Sequence, residues 1–287
     1  MLLERSRLGV IPYGEGGQER MRAFVVALEG VLGTEIELHN AADYRALASA
    51  VEQGLVHFAW LPPLAAARAV KAASITPVAV AIRHGATSYF TGLITRESSA
   101  IRTVADLKGL KAAWVDRESA SGYVVIRAAL RQQGLSLVDA FAEDVFLRSH
   151  SEVVRAITTG AVDVGATCFN VVSDAIHIGR STYTGSHGLT LDSVRIVAQA
   201  GPIPSDIFAV HRSVSPSVLV KLQNGLVGAR PAHLYEAAKA MMFADAFARA
   251  DGEHLRMLEA LYETVLGDAA PRSVTPPPVR LPSYFPK

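Results

Sequence analysis

The sequence lacks the marks of several protein classes. It contains a single cysteine, Cys168, in 287 residues, so it can form neither an internal disulfide nor a cysteine metal cluster. No apolar run reaches the ~20 residues that a membrane-spanning helix requires. Its 28 basic residues are balanced by 27 acidic ones, without the basic excess typical of nucleic-acid binding. We therefore expect no membrane span and no nucleic-acid partner.

Motifs of common catalytic centres are also missing. The chain has no His-Glu-x-x-His and no Gly-x-Ser-x-Gly sequence. Gly14, Gly16 and Gly17 follow the first apolar run, but without the Lys-Ser/Thr pair of a nucleotide loop or the dinucleotide spacing. Cys168, between Thr167 and Phe169, is interpreted as an inert small residue at a strand end. We expect no enzyme activity, no cofactor and no bound metal.

The N-terminus gives two options for the compartment. Residues Met1 to Ser6 lack the apolar core of a secretion signal. We expect a periplasmic or other extracytoplasmic protein if a leader was removed, and a cytoplasmic protein otherwise.

Half of the residues are hydrophobic, which is enough for a full core. Short apolar runs alternate with helical periodicity, as in the strand Leu8–Pro12, the helix Glu19–Leu32 and the strand Glu35–Leu38. This βα alternation predicts an α/β fold in which mainly parallel sheets are flanked by helices.

The alternation occurs twice, which predicts two lobes. The chain crosses between them near Tyr89–Thr95 and again near Ala198–Pro204. We expect residues 1–93 and 200–287 to form lobe 1, residues 94–199 to form lobe 2, and the crossings to form a two-strand hinge. A ligand would then bind in the cleft between the lobes, and hinge closure would enclose it.

Some segments have less regular patterns. Asn170–Ile176 and Pro231–Phe247 are predicted as helices, Gly179–Thr190 as a polar surface loop, and the chain from Pro271 as an extended tail.

One corner of the chain is a candidate anion site. Lys111–Val115 is predicted as a buried strand, and a helix is predicted from Ser121 to Gln133. Ser119, Ser121 and Gly122 lie where this helix begins. The unpaired N–H groups and partial positive charge of a helix start can hold a phosphate-like anion. The alternative is that Ser119 or Asp116 simply caps the helix.

The ordered motifs of the chain resemble a known family. From Leu8 to about Ala269 it is similar to the phosphate/phosphite/phosphonate-binding proteins of ABC importers, the PhnD-like branch of the type II periplasmic binding proteins. The segments that carry the resemblance are Tyr89–Ile94, Val104–Gly109, Asp116–Tyr123, Ser149-His150, Gly160–Val164 and Pro202–Asp206.

The resemblance implies roles for individual residues. The corner of Ser119, Ala120, Ser121 and Gly122 would hold the anion through hydroxyl and N–H groups, although Ala120 replaces a frequent Ser or Thr and Arg117 replaces the usual proline. The resemblance further implies that His150 donates to the anion and that Tyr89 lines the cleft. It also implies that Asp206 faces an ammonium group in amine-bearing ligands.

Two departures from the family pattern concern the rest of the ligand. Leu61, Pro62 and Pro63 stand where the family has an aromatic residue followed by glycine, and Leu61 favours a smaller or more apolar ligand. Asn170 occupies the position of a glutamate in aminoethylphosphonate binders. Because asparagine carries no charge, amine-bearing phosphonates should bind less well.

The resemblance implies a monomeric binding protein that captures a small oxyanion for an ABC transporter permease. One alternative is a cytoplasmic enzyme of the same fold that binds a small carboxylate, with Asn170, His150 or Asp206 moving protons. The other is a sensor domain of this fold that reports to a partner chain.

Overall fold

The computed structural model describes residues 6–11, 16–137, 140–172, 175–178 and 193–265. In these ranges the strands are β1 (Ser6–Val10), β2 (Ile36–Asn40), β3 (Phe58–Leu61), β4 (Ile75–Ile82), β5 (Ser88–Arg96), β6 (Leu110–Trp114), β7 (Phe141–Phe146), β8 (Val164–Val172), β9 (Ala175–Ile178), β10 (Val194–Pro204), β11 (Ile207–His211) and β12 (Ala246–Ala248). The helices are α1 (Gly17–Leu32), α2 (Tyr44–Glu52), α3 (Pro63–Lys71), α4 (Val125–Gln132), α5 (His150–Thr159), α6 (Pro216–Leu226), α7 (Ala232–Met242) and α8 (Gly252–Val265), with a 3₁₀ turn at Val104–Leu107 and a π-helical turn at Ala120–Val124. Each of these helices is too short or too polar to span a bilayer.

The described strands form two sheets, and both are mixed. The first has the order β12-β4-β11-β3-β1-β2, and the second has the order β10-β5-β8-β6-β7, with β9 paired to β8. Strands β2, β1 and β3 are parallel, as are β8, β6 and β7. The α/β fold class is confirmed, but the sheets are mixed rather than mainly parallel. One reason is that β5 and β10, which lead away from and back to the first sheet, pair antiparallel to each other.

The chain passes between the sheets at two adjacent links. Residues 83–87 join β4 to β5, and residues 205–206 join β10 to β11. The amide of Ser205 donates to the carbonyl of Thr87 at 2.8 Å, which holds the links side by side. The predicted lobe boundaries, at 93/94 and 199/200, fall inside β5 and β10, and the division into lobes stays a prediction.

Apolar residues cover both faces of each sheet because helices pack on both sides. On the first sheet, Phe24 of α1 meets Phe208 of β11 edge to face, with ring centroids 5.5 Å apart. On the second sheet, Ile126 of α4 and Ile157 of α5 belong to separate buried clusters. Burying a side chain of this size contributes roughly 1.5–3 kcal/mol, so these clusters dominate the stability of the fold.

A further buried cluster lies between the helices that pack on the first sheet and the strands of the second sheet. It joins Leu64 of α3 and Leu261 of α8 to four residues from the second sheet and its corner. These four are Tyr89, Ala120, Cys168 and Ile203.

Two local predictions were wrong. The predicted helix Asn170–Ile176 is part of strands β8 and β9, which pair antiparallel. Its short apolar run fits either structure, and pairing of β8 with β5 decides in favour of the strand. The predicted helix Pro231–Phe247 ends at Met242, because Phe243 takes a left-handed conformation with φ of 49° before β12 begins. The predicted loop 179–190 and the tail from residue 271 lie outside the described residues.

Candidate functional site

The predicted corner joins β6 to α4 and is held by its own hydrogen bonds. Ser119 caps the helix, and its Oγ accepts from the amide of Gly122 at 3.0 Å. Asp116 supports the cap: its carboxylate accepts from the amide of Glu118 at 2.8 Å, and its carbonyl accepts from the amide of Ser119 at 3.0 Å. The cap and the preceding loop are therefore joined by hydrogen bonds into one unit.

Only glycine fits at position 122. A Cβ added there would lie 2.4 Å from the Cβ of Val115 and 2.8 Å from the Oγ of Ser119. The carbonyl of Gly122 accepts from the amide of Val115 at 3.2 Å. The corner is therefore pressed directly against the end of the preceding strand.

Several donors remain available at the start of this helix. The amides of Ala120 and Ser121 have no acceptor within the described part of the chain, and neither does the hydroxyl of Ser121. The Ser121 side chain is nevertheless buried, with 2% of the residue exposed. The backbone carbonyl of Ser121 accepts a hydrogen bond from the Thr91 hydroxyl at 2.6 Å, which connects the corner to β5. Buried donors without acceptors are costly unless a ligand or water satisfies them.

His150 lies at the start of a second helix on the same sheet edge. Strands β6 and β7 are parallel neighbours, and α4 and α5 follow their carboxyl ends. Ser149 caps α5 by accepting from the amide of Glu152 at 3.2 Å. The Nδ1 of His150 lies 3.1 Å from the hydroxyl of Thr167. Two helix N-termini thus meet at one edge, which is where open α/β sheets bind ligands.

Tyr89 and Asn170 belong to the sheet face against which the corner packs. Thr91 of β5 pairs with Cys168 of β8. Because side chains alternate along a strand, Tyr89 shares the face of Thr91, and Asn170 shares the face of Cys168. Both are buried, at 9% and 6% exposure. The Asn170 side chain has no hydrogen-bond partner among the described residues.

Asp206 is occupied by other protein groups. Its Oδ2 accepts from Arg83 at 2.7 Å and from the indole of Trp60 at 3.1 Å, and the residue is fully buried. Arg83 also donates to the carbonyls of Met242 and Phe243 at the end of α7. The carboxylate that was expected to face a ligand ammonium therefore already balances a buried guanidinium.

Leu61 lies in the core of the first sheet. It is fully buried in the cluster that also contains Leu47 of α2 and Leu258 of α8. Pro63 after it takes the first position of α3, where a missing N–H costs nothing. The unusual Leu61-Pro62-Pro63 sequence thus ends a strand and starts a helix.

Sequence reasoning missed the groups that surround the corner. Glu118 accepts from Arg45 and from Arg68, each at 2.8 Å. Burial raises the pKa of Glu118, but the hydrogen bonds and charges of the two arginines outweigh it, so the pKa lies below its ordinary value. These partners are remote in sequence, so no local pattern could predict them. Thr91 could have been singled out, because it is a hydroxyl residue inside an apolar strand pattern.

A comparison with known families identifies the chain. The profile of the family described as "ABC transporter, phosphonate, periplasmic substrate-binding protein" matches residues 8–255. The chain belongs to this family. The predicted resemblance is thereby confirmed.

Individual family relatives agree with this assignment. The phosphate-import protein PhnD of Mycolicibacterium smegmatis is 27% identical over 206 residues, which cover 68% of this chain and 62% of that protein. The match thus spans less than two thirds of the relative's length.

Two solved structures have the same fold. PhnD1 from Prochlorococcus marinus, in complex with methylphosphonate, superimposes with a TM-score of 0.70 at 14% identity, covering 91% of this chain and 97% of PhnD1. A Xanthomonas citri protein bound to ATP gives a TM-score of 0.70 at 22% identity, covering 90% and 96%. The expected type II periplasmic-binding-protein fold is therefore confirmed.

The described residues contain no group of three or more His, Cys, Asp and Glu side chains arranged to hold a metal ion. The available chemistry at the corner consists of hydroxyls and amides, and the imidazole of His150 lies at the start of α5 on the same sheet edge. Such donors can bind and orient an anion.

Proposed function

We propose that this protein captures a small phosphorus oxyanion for an ABC importer and holds it at the corner Ser119–Gly122. The observation that carries the proposal is a set of donors there without an acceptor among the described residues, namely the hydroxyl of Ser121 and the amides of Ala120 and Ser121. Membership in a family of transporter substrate-binding proteins supports it. The alternatives, an enzyme or a sensor, have no comparable support.

The proposed site binds the anion through neutral hydrogen-bond donors and the helix dipole. Hydrogen bonds to a charged acceptor are roughly twice as strong as neutral ones, and the helix start adds partial positive charge. In this proposal His150, at the start of α5 on the same sheet edge, supplies a further donor. A tetrahedral oxyanion has enough acceptors to satisfy these groups together.

The substituent on phosphorus is small and uncharged or apolar. Apolar residues flank the corner in the cluster with Leu64, Tyr89 and Leu261. Asp206 is balanced by Arg83, and Asn170 is neutral, so neither offers a free negative charge to an ammonium group. Phosphate, phosphite and methylphosphonate therefore fit better than aminoethylphosphonate. The named relatives, a phosphate-import protein and a methylphosphonate complex, have ligands of this class.

Closure of two lobes would enclose the ligand. We take the links at 83–87 and 205–206 as the hinge, with the two sheets moving as units. The monomeric state, the permease partner and a location outside the cytoplasm follow from the same proposal.

Isothermal titration calorimetry on the full chain tests the function. The panel is phosphate, phosphite, methylphosphonate, aminoethylphosphonate, sulfate and benzoate. We expect binding by the first three, weaker binding of the amine-bearing phosphonate, and none of benzoate. A preference for the carboxylate over every phosphorus oxyanion would contradict the proposal and favour the enzyme alternative.

A further inference from the structure

Glu118 connects the corner to the other half of the molecule. It lies in the loop after β6 of the second sheet, whereas Arg45 and Arg68 lie on α2 and α3, next to the first sheet. Arg45 binds Oε1 of Glu118, and Arg68 binds Oε2. Because each guanidinium takes its own carboxylate oxygen, one side chain links the loop to both helices.

The loop is stiff enough to transmit this contact to the site. Glu118 immediately precedes the capping residue Ser119, and its amide is held by Asp116 at 2.8 Å. The guanidinium of Arg117 lies over the ring of Phe146, 4.4 Å from the centroid. We therefore expect a displacement of the Glu118 side chain to displace the helix cap at Ser119 as well.

We propose that Glu118 is a positioning residue of the anion site, whose ion pairs with Arg45 and Arg68 hold the corner against α2 and α3 and keep the cleft closed on its ligand. The inference rests on the proposed function. Leu64 and Ala120 belong to one buried apolar cluster along the same boundary. The ion pairs lie nearer the surface, with exposed fractions of 15% for Glu118, 30% for Arg68 and 78% for Arg45. Such a pair can break in water when the halves separate.

Removing the charge of Glu118 distinguishes a positioning role from a purely electrostatic one. Two guanidiniums and one carboxylate leave the cluster with one net positive charge. Glu118→Gln removes the negative charge and should attract an anion more strongly if Glu118 acts through its field alone. If Glu118 acts by position, the same substitution weakens binding, because the closed state loses its ion pairs and the ligand dissociates faster.

The kinetic experiment measures association and dissociation of methylphosphonate, phosphate and phosphite by stopped flow. We expect Glu118→Gln to raise the dissociation rate about fivefold, the size of effect of partly exposed ion pairs, without slowing association. The matched control is Glu263→Gln, which breaks the 2.8 Å pair with Lys71 between α3 and α8 and should leave both rates unchanged. The charge-reversed double variant Glu118→Arg with Arg68→Glu should recover part of the slow dissociation.

A ligand-free measurement separates this inference from the proposed function. Small-angle X-ray scattering compares the radius of gyration of Glu118→Gln with that of the Glu263→Gln control. If the wild-type protein binds a probe, an unchanged or slower dissociation rate in Glu118→Gln overturns the inference and leaves the proposed function standing. If no probe binds, the proposed function fails, and scattering decides the inference: a larger radius supports it, and an equal radius overturns it.

Discussion

Replacing Ser121 by alanine should weaken ligand binding while leaving the fold intact. Ser121 is 2% exposed and its hydroxyl has no partner among the described residues, so its removal breaks no hydrogen bond within that part of the chain. A hydrogen bond to a charged acceptor contributes about 1.5–3 kcal/mol. At about 1.4 kcal/mol per factor of ten, the dissociation constant should rise roughly 10- to 150-fold.

Ser119→Ala provides the comparison. Ser119 caps the helix, so its loss should cost about 0.5–2 kcal/mol of stability. Calorimetry with phosphate, phosphite and methylphosphonate measures affinity, and urea unfolding without ligand measures stability. We expect Ser121→Ala to change only affinity and Ser119→Ala to change stability as well. If Ser121→Ala binds the tightest ligand within twofold of wild type, the corner is not the anion site.

The remaining predictions concern charge. Asn170→Glu should improve binding of aminoethylphosphonate relative to methylphosphonate in competition calorimetry, and an unmoved ratio would place Asn170 away from the ligand. Asp206→Asn leaves the buried Arg83 without its counter-charge and should cost about 3–5 kcal/mol in urea unfolding, whereas a purely ligand-facing role predicts no such loss. Burial lowers the pKa of His254 despite opposing effects of Asp251, Ser205 and Asp206, so the unfolded chain binds its proton more readily. Stability should therefore fall as the pH drops below about 6.5, and His254→Gln should flatten that dependence; an equally steep profile in the variant would contradict the assignment.

The corner was predictable because its determinants are local. An apolar run, two serines and a glycine at a helix start specify a strand, a cap and a tight approach within a few residues. The structure distinguishes the two serines: Ser119 caps the helix, whereas the Ser121 hydroxyl has no partner in the described part of the chain.

The surroundings of the corner were not predictable from local patterns. Arg83 and Asp206 are 123 residues apart, and Glu118 lies 73 residues from Arg45. Their pairing follows from how the two sheets meet, which no periodicity encodes. The strand at Asn170 was missed for a related reason, because pairing with β5 outweighs the ambiguous pattern of a short apolar run.

A crystal structure of the full chain with methylphosphonate would test the central claim most directly. We expect the phosphonate oxygens to lie within about 3 Å of the Ser121 hydroxyl and of the amides at the start of its helix. A phosphonate bound elsewhere, with the corner unoccupied at saturating ligand, would contradict the account.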